Sequence, residues 1–342
     1  MDFTLLLDRT ILIVVVFMIS LGVAAYTTYG ERKIAAFMQD RIGPDRAGPF
    51  GLLQPMADGV KMYFKEEIIP AASDKLLFIL APCIFMMTAL MTSAVIPWGK
   101  SFNFGGHEFS LQAANLNVGI LYILGVVSVG GYGIMIGGWA SNNKFALLGA
   151  LRASSQMISY ELPMGMSIIA LLLFNNSLNI RDIVDAQQYG QWNVFYQPLG
   201  FLIFLICAFA ECNRTPFDLP ECEAELIGGY HTEYSSMKLG LFLFAEYINM
   251  FISSAIIASL YFGGYHFPGI DSLDLPQNIQ AIVSVAVLFA KIFFFIFFFM
   301  WIRWTVPRFR YDQLMRLGWM VLIPLSILNV LLTGGWITFV QN

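Results

Sequence analysis

Eight apolar runs, each close to the length of a membrane-crossing helix, constrain this chain more than any other feature. They fall at 11–29, 76–97, 118–139, 158–174, 195–210, 239–262, 279–304 and 317–340. Crossing the hydrocarbon layer takes roughly 20 apolar residues in a helix, because each backbone N–H and C=O must find its partner inside the segment. The chain is 58% hydrophobic and only 12% charged, with a mean hydropathy of +0.68. That leaves too little polar surface to cover a water-soluble globule. The expected fold is therefore an all-α polytopic membrane protein with eight transmembrane helices in a single domain over 1–342, with no internal repeat and no soluble domain. The first run lacks the basic start and the small-residue cleavage site of a signal peptide, so it is expected to stay as a span.

Eight spans create two sets of loops, and the basic residues divide unequally between them. Of 19 Lys and Arg, fifteen fall in odd-numbered loops: seven in the first, two each in the third and fifth, and four in the seventh. Cationic loops stay on the cytoplasmic side of a bilayer. The odd loops are thus expected to face the cytoplasm, with both termini on the opposite, periplasmic side. Four cysteines and three histidines show no metal-ligand spacing, so no metal site and no cofactor box is expected. The net charge of −4 carries no nucleic-acid signature.

The first and fifth loops, 31–75 and 211–238, differ from the plain polar connectors of the second, fourth and sixth. In loop one, the Gly43-Pro44 and Gly48-Pro49 pairs set a stiff turn that presents Arg41 and Arg46. Simple anchoring of the cytoplasmic side needs basic residues anywhere, not on rigid backbone. After the turn, Leu53, Met56, Ala57, Val60 and Phe64 recur at helical spacing with Asp58, Lys61 and Lys65 opposite, which predicts an interfacial amphipathic helix. Loop five carries six carboxylates against one arginine between 211 and 233. A capping box of Asp218 and Glu221 accounts for part of this density, but not for Glu211, Glu225 and Glu233.

Glu161, Glu211, Glu246 and Lys291 lie within or at the edges of spans. An ionisable group at membrane depth costs on the order of 2.5–3.5 kcal/mol, and such groups mark ion pathways. A buried Glu246–Lys291 pair is the structural alternative, but it leaves carboxylates over for proton relay.

Glu31-Arg32-Lys33, Gln39-Asp40-Arg41-Ile42-Gly43-Pro44 with Arg46 and Gly48-Pro49, and the run from Ala210 through Arg214-Thr215-Pro216-Phe217-Asp218-Leu219-Pro220-Glu221 resemble two signatures of the H subunit of respiratory complex I, the counterpart of mitochondrial subunit 1. Ser154 to Glu161, and Glu233-Tyr234 with Lys238 and Ala245-Glu246-Tyr247, also match, so the likeness covers essentially the whole chain. The resemblance implies a membrane subunit of the proton-translocating NADH:quinone oxidoreductase in the bacterial inner membrane, not catalytic alone and without a prosthetic group. FMN and Fe–S clusters would sit on peripheral-arm partners, and the A, J and K subunits and the antiporter-like subunits would be its membrane neighbours. Ubiquinone or menaquinone would enter a tunnel along Arg32, Arg41, Arg46 and Asp58. Phe37, Phe50, Phe64 and Phe217 are candidate walls, since a quinone needs apolar walls and a few polar groups. Asp218, Glu221, Glu223, Glu225 and Glu233 would connect the quinone end to Glu211, Glu161, Glu246 and Lys291. Related subunits of membrane-bound hydrogenases share the Gly-Pro-Arg turn and the Pro-Phe-Asp loop, while a stand-alone transporter would show inverted repeats, which are absent here.

Overall fold

The computed structural model describes residues 3–104, 107–188, 191–219, 227–269 and 276–341. Glu221, Glu223 and Glu225, and with them the expected capping box, lie outside these residues. The described chain is almost wholly helical: α1 (Phe3–Met38), α2 (Gln54–Phe64), α3 (Lys75–Thr92), α4 (Gly119–Ala140), α5 (Lys144–Asn175), α6 (Ile180–Ala186), α7 (Asn193–Tyr196), α8 (Pro198–Glu211), α9 (Ser236–Tyr261), α10 (Gln277–Thr305), α11 (Tyr311–Arg316) and α12 (Ile323–Gln341). Seven described helices are long and apolar enough to cross a membrane. The fifth apolar run forms instead the short α7 and the 14-residue α8, split at Gln197 ahead of Pro198.

Helix boundaries follow local chemistry. Asp74 caps α3 by accepting from the amides of Leu76 (3.2 Å) and Leu77 (3.4 Å). Asn143 accepts from the Phe145 amide at 2.9 Å at the start of α5, and Asn176 ends that helix in the left-handed region at φ 52°. The run expected over 158–174 therefore begins fourteen residues earlier, at Lys144. The segment from Lys144 to Glu161 carries charges that hydropathy penalises, but no proline, and the helix continues through Pro163 to Asn175. The last span contains a π-helical turn at Leu317–Leu322, set against α5, where the Trp319 indole donates to Ser159 Oγ at 3.0 Å.

Helices α5 and α9 form the centre. The former packs on α4, α8 and α12, and the latter on α1, α3 and α10. Two-thirds of the most apolar window of α9 is buried (67%), against 22% for α1, whose Ile11, Val14 and Met18 face outward. The apolar outer surface agrees with lipid as the solvent. At the α4–α5 crossing Gly138 lies so close to Ala146 and Ala150 that a Cβ there would collide with both.

The loops sort to two ends. At one end, Lys238 of loop five pairs with Glu67 of loop one, Ser236 Oγ donates to the Met62 carbonyl at 3.0 Å, and Asn143 of loop three donates to Glu233 at 2.6 Å. Loop seven joins them through Arg308 and Asp218 at 3.0 Å. At the other end the even loops meet: the Ile120 amide bonds the Leu178 carbonyl at 3.2 Å, and the Asn103 amide bonds Asn278 Oδ1 at 3.0 Å. These even connectors are more structured than plain polar linkers. Loop two holds a two-stranded antiparallel hairpin, β1 (Phe102–Phe104) and β2 (His107–Phe109), with Phe102 opposite Phe109.

Candidate functional site

Loop one folds back on the end of α1. Gly43, Gly48 and Gly51 all take left-handed conformations (φ 72°, 73° and 80°). At Gly51 a Cβ would run into the Pro44 carbonyl. Lys33 Nζ bonds the Ile42 carbonyl at 3.1 Å and the Tyr29 hydroxyl donates to the Phe50 carbonyl at 2.6 Å. This closed turn delivers the chain into α2, which lies across α1 and α9.

Beneath α2 opens a cavity of about 550 Å3, walled mainly by apolar side chains including Leu21, Met62, Met86, Leu241, Phe244 and Trp304. The polar side chains of Glu31, Arg32, Arg41, Asp58, Arg214, Tyr247 and Arg303 converge on it. They are organised by pairing. Arg32 bonds Asp58 at 2.6 Å. Arg303, at the end of α10, bonds Glu31 at 2.5 Å, and the Tyr247 hydroxyl donates to the other oxygen of Glu31 at 2.8 Å. The Arg214 guanidinium lies 4.1 Å from the centre of the Tyr247 ring and 3.6 Å from Glu246. Glu246 in turn accepts from the Tyr230 hydroxyl at 3.2 Å. A continuous line of charged and hydroxyl groups thus leaves the cavity and enters the helix bundle.

Other acids extend the line without touching it. Glu211, at the end of α8, borders a second void of about 20 Å3 with Thr88, Thr92, Asn249 and Ser253. Its Oε2 has no hydrogen-bond partner among the described residues. Across that void, α4 carries Ser128, whose hydroxyl lies 3.1 Å from Glu161. Gln156, fully buried, fixes the arrangement: its amide donates to the carbonyls of Ala210 and Phe217, both at 2.8 Å, and to Asn213 at 3.3 Å.

Among the sequence candidates, Arg32, Arg41 and Asp58 come together at the cavity. Arg46 is exposed, and Phe37, Phe50 and Phe64 are 69%, 76% and 81% exposed on the outer side of loop one and α2. Phe217 is buried instead between Tyr160 (5.3 Å) and Phe309 (5.6 Å). Asp218 and Glu233 are held by Arg308 and Asn143, as described for the loop contacts. Lys291 does not pair with Glu246, contrary to the structural alternative raised by the sequence. Its ammonium donates to the carbonyls of Phe262, Gly264 and His266 at 2.7, 2.7 and 2.6 Å, at the opposite end of α9. Near it, at the even-loop end, burial drives the Asp185 carboxyl up, but hydrogen bonds from His266 and Tyr265 and the nearby charges of His266 and Arg181 bring it below the usual carboxylate value. Among the described residues no three His, Cys, Asp or Glu side chains converge to hold a metal.

The NADH dehydrogenase family model matches residues 10–334. The chain belongs to that family. An H subunit of NADH-quinone oxidoreductase from Cytophaga hutchinsonii is 64% identical over 332 residues, covering 97% of each chain. The H subunit from Flavobacterium johnsoniae is 59% identical over 337 residues, 98% of this chain and 96% of its own. That of Leptospira biflexa is 47% identical over 341 residues, 97% of this chain and 95% of its own. With its seven long apolar helices, this NADH dehydrogenase family member is a multi-pass membrane protein of the H-subunit type. Arg214, Arg303, Tyr247, Glu31 and Gln156 are the site residues that sequence reasoning left without a role. Their signal was faint but present: Arg303 and Glu31 are charges at span ends, and Tyr247 directly follows the intramembrane Glu246.

Proposed function

We propose that the chain is the membrane subunit of a proton-translocating NADH-quinone oxidoreductase in which a quinone approaches through the cavity beneath α2, and that its reduction is coupled to proton movement through the buried carboxylates. The observation that carries this reading is a cavity of about 550 Å3 with apolar walls and the arginines Arg32, Arg41, Arg214 and Arg303 beside Glu31 and Asp58. An apolar ring with two carbonyl oxygens needs that combination: greasy walls for the ring and tail, and a few donors for the oxygens. Two-electron reduction places negative charge on those oxygens. Arginines can stabilise that charge, while nearby carboxylates respond by binding protons. Arg214 also reaches Glu246, so a charge change at the cavity would act on an acid inside the bundle through one side chain.

The arrangement of helices supports an eight-span topology. Helix α8, 14 residues and therefore roughly 21 Å long, runs from the end where Gln197 bonds Thr333 to the end where Glu211 meets loop five. With α7 it completes the crossing that the alternation of loops requires. The outer face of α2 exposes Met56, Val60, Tyr63 and Phe64 while Asp58 turns inward to Arg32, as expected of an amphipathic helix at an interface. The basic odd loops face the cytoplasm and the termini the periplasm. Peripheral-arm subunits carrying FMN and Fe–S clusters cover the loop-one end, and the A, J and K subunits and the antiporter-like subunits adjoin the membrane face. Glu221, Glu223 and Glu225 belong to the same acidic path.

An azido-quinone photolabel applied to the assembled complex, mapped by peptide mass, tests the reading. Label on Arg41–Phe64 and on the Phe244–Tyr247 stretch, competed by excess quinone, is the expected result. Competed label confined to peptides away from this cavity would overturn it.

A further inference from the structure

The interface of α3, α4, α5 and α9 contains two small voids stacked along the helix axes. The first is the Glu211 void of about 20 Å3, with Thr88, Thr92, Asn249 and Ser253 among its walls. The second, of about 10 Å3, is enclosed by Ile96, Ile120, Ile123, Ile168, Ile180 and Ile256. Ile256 borders both. The order holds on every helix. Along α9, Asn249 and Ser253 face the first void and Ser259 the second. On α5, Met157 precedes Ile168, and on α4, which runs the other way, Ile123 precedes Val127. Past the second void the chain turns polar again: Gln187 donates to the Ser259 carbonyl at 3.1 Å, and Asn193 to that of Leu260 at 2.8 Å. Beyond them lie the Lys291 crown and the Asp185–His266 contact at 3.2 Å.

A water molecule needs roughly 10–15 Å3 of accessible space and two to four polar partners to reside in a protein interior. The first void meets both conditions. The second offers no room to spare and, beside its alkyl walls, the side chain of Ser259 alone, one polar partner where a water needs two to four. A proton cannot cross such a gap without a hydrogen-bonded chain, and a bare charge there would meet hydrocarbon.

We propose that the six isoleucines form a dry plug that insulates Glu211 from the even-loop face, so that a proton held at Glu211 leaves sideways toward Glu161 or back toward the cavity, but not across this chain. The inference rests on the proposed role of Glu211 as a proton carrier, and it makes Ile256 a residue that sets the direction of transport. Plain core packing would give the same side chains but would not distinguish a polar replacement from an apolar one of equal size. Serine and alanine at 256 provide that distinction, since both open the same space and only serine gives a water its hydrogen bond.

The test uses the whole complex reconstituted into liposomes, without NADH or quinol, following decay of an imposed pH gradient with a trapped dye. Ile256→Ser is expected to accelerate decay over the unmodified complex by on the order of tenfold, equivalent to about 1.4 kcal/mol of barrier and the scale of one hydrogen bond. Ile256→Ala is expected to stay within about twofold on the same scale. Adding Glu211→Gln to Ile256→Ser is expected to restore the tight membrane. If the complex carrying Ile256→Ser fails to assemble, Ile168→Ser opens the plug from the α5 side with the same expected leak. An assembled serine variant as tight as the parent, or an alanine variant as leaky as the serine one, overturns the plug. A serine leak that Glu211→Gln leaves open supports the plug and overturns the carrier role of Glu211.

Discussion

Tyr247 touches two charges at once. Its hydroxyl donates to Glu31 at 2.8 Å, and its ring lies 4.1 Å from the Arg214 guanidinium. Glu31 is also held by Arg303, so the phenol ties charge from α1, α10 and loop five to one wall of the cavity. Removing only the hydroxyl separates these roles. Tyr247→Phe keeps the ring beneath Arg214 and loses a hydrogen bond to a carboxylate, worth about 1.5–3 kcal/mol when buried and less where water can substitute. The expected outcome is a rise in quinone KM of roughly three- to tenfold, about 0.7–1.4 kcal/mol, with a smaller change in kcat. Tyr247→Leu, which removes both contacts, is expected to lower kcat as well. Steady-state kinetics of the assembled complex over a range of quinone concentrations checks this. Equal kinetics for the phenylalanine variant and the parent would remove the hydroxyl from the account.

At the scale of elements, the joint between loop five and α5 concentrates the most dependence on one side chain. Gln156 donates to two backbone carbonyls and to Asn213, and beside it Tyr160 packs on Phe217 while its hydroxyl holds the Leu314 carbonyl at 3.0 Å. Loop five is thereby fastened to the helix that carries Glu161. Gln156→Leu preserves volume but leaves the buried Phe217 carbonyl without its donor, at a cost of about 1–3 kcal/mol, while the Ala210 carbonyl keeps the Asn213 amide at 3.3 Å. Expected are a lower thermal midpoint of the assembled complex and looser coupling, seen as fewer protons moved per NADH oxidised. An unchanged ratio in an assembled complex would show that loop five needs no such fastening. These joints were not legible in the sequence. Seven of the spans were, the start of α5 excepted, because burial in lipid imposes a continuous apolar stretch. The turn of loop one also was, because Gly-Pro pairs restrict the backbone wherever they occur. The Gln156 contacts, the π-helical turn at Leu317–Leu322 and the hairpin of loop two depend on which elements meet in space, and a local pattern records none of that. The exposure of Phe37, Phe50 and Phe64 in the single chain belongs with these, since which side of the turn each aromatic takes depends on how α2 docks.

Across the whole molecule, the buried acids of the bundle gather toward the odd-loop end, and an isoleucine-lined layer separates them from the polar groups of the even-loop end. From the cavity the line runs through Glu31, Tyr247, Arg214 and Glu246, while Glu211 borders the void among α3, α4, α5 and α9 and Glu161 meets Ser128 of α4. Toward the even loops the core becomes isoleucine, and the Lys291 ammonium is spent on closing the end of α9. A layout with acids on one side of mid-bundle and hydrocarbon on the other suits sideways transfer better than passage across. On the proposed coupling, it also locates where electron transfer and proton transfer can be separated. Glu211→Gln keeps the shape of the side chain and removes its ability to release a proton, and Glu161→Gln keeps an acceptor for Ser128. Neither touches the cavity. Both variants are therefore expected to leave NADH oxidation with an artificial acceptor unchanged and to cut quinone-linked proton transport by on the order of tenfold, since a relay without its titrating group loses at least one step of about 1.4 kcal/mol or more. Dye-monitored acidification of liposomes holding the whole complex, run beside the artificial-acceptor assay, measures both quantities. Full transport in an assembled Glu211→Gln complex would mean that protons reach the neighbouring subunits by a route that bypasses this carboxylate, and the gathering of acids toward one end would then reflect packing alone.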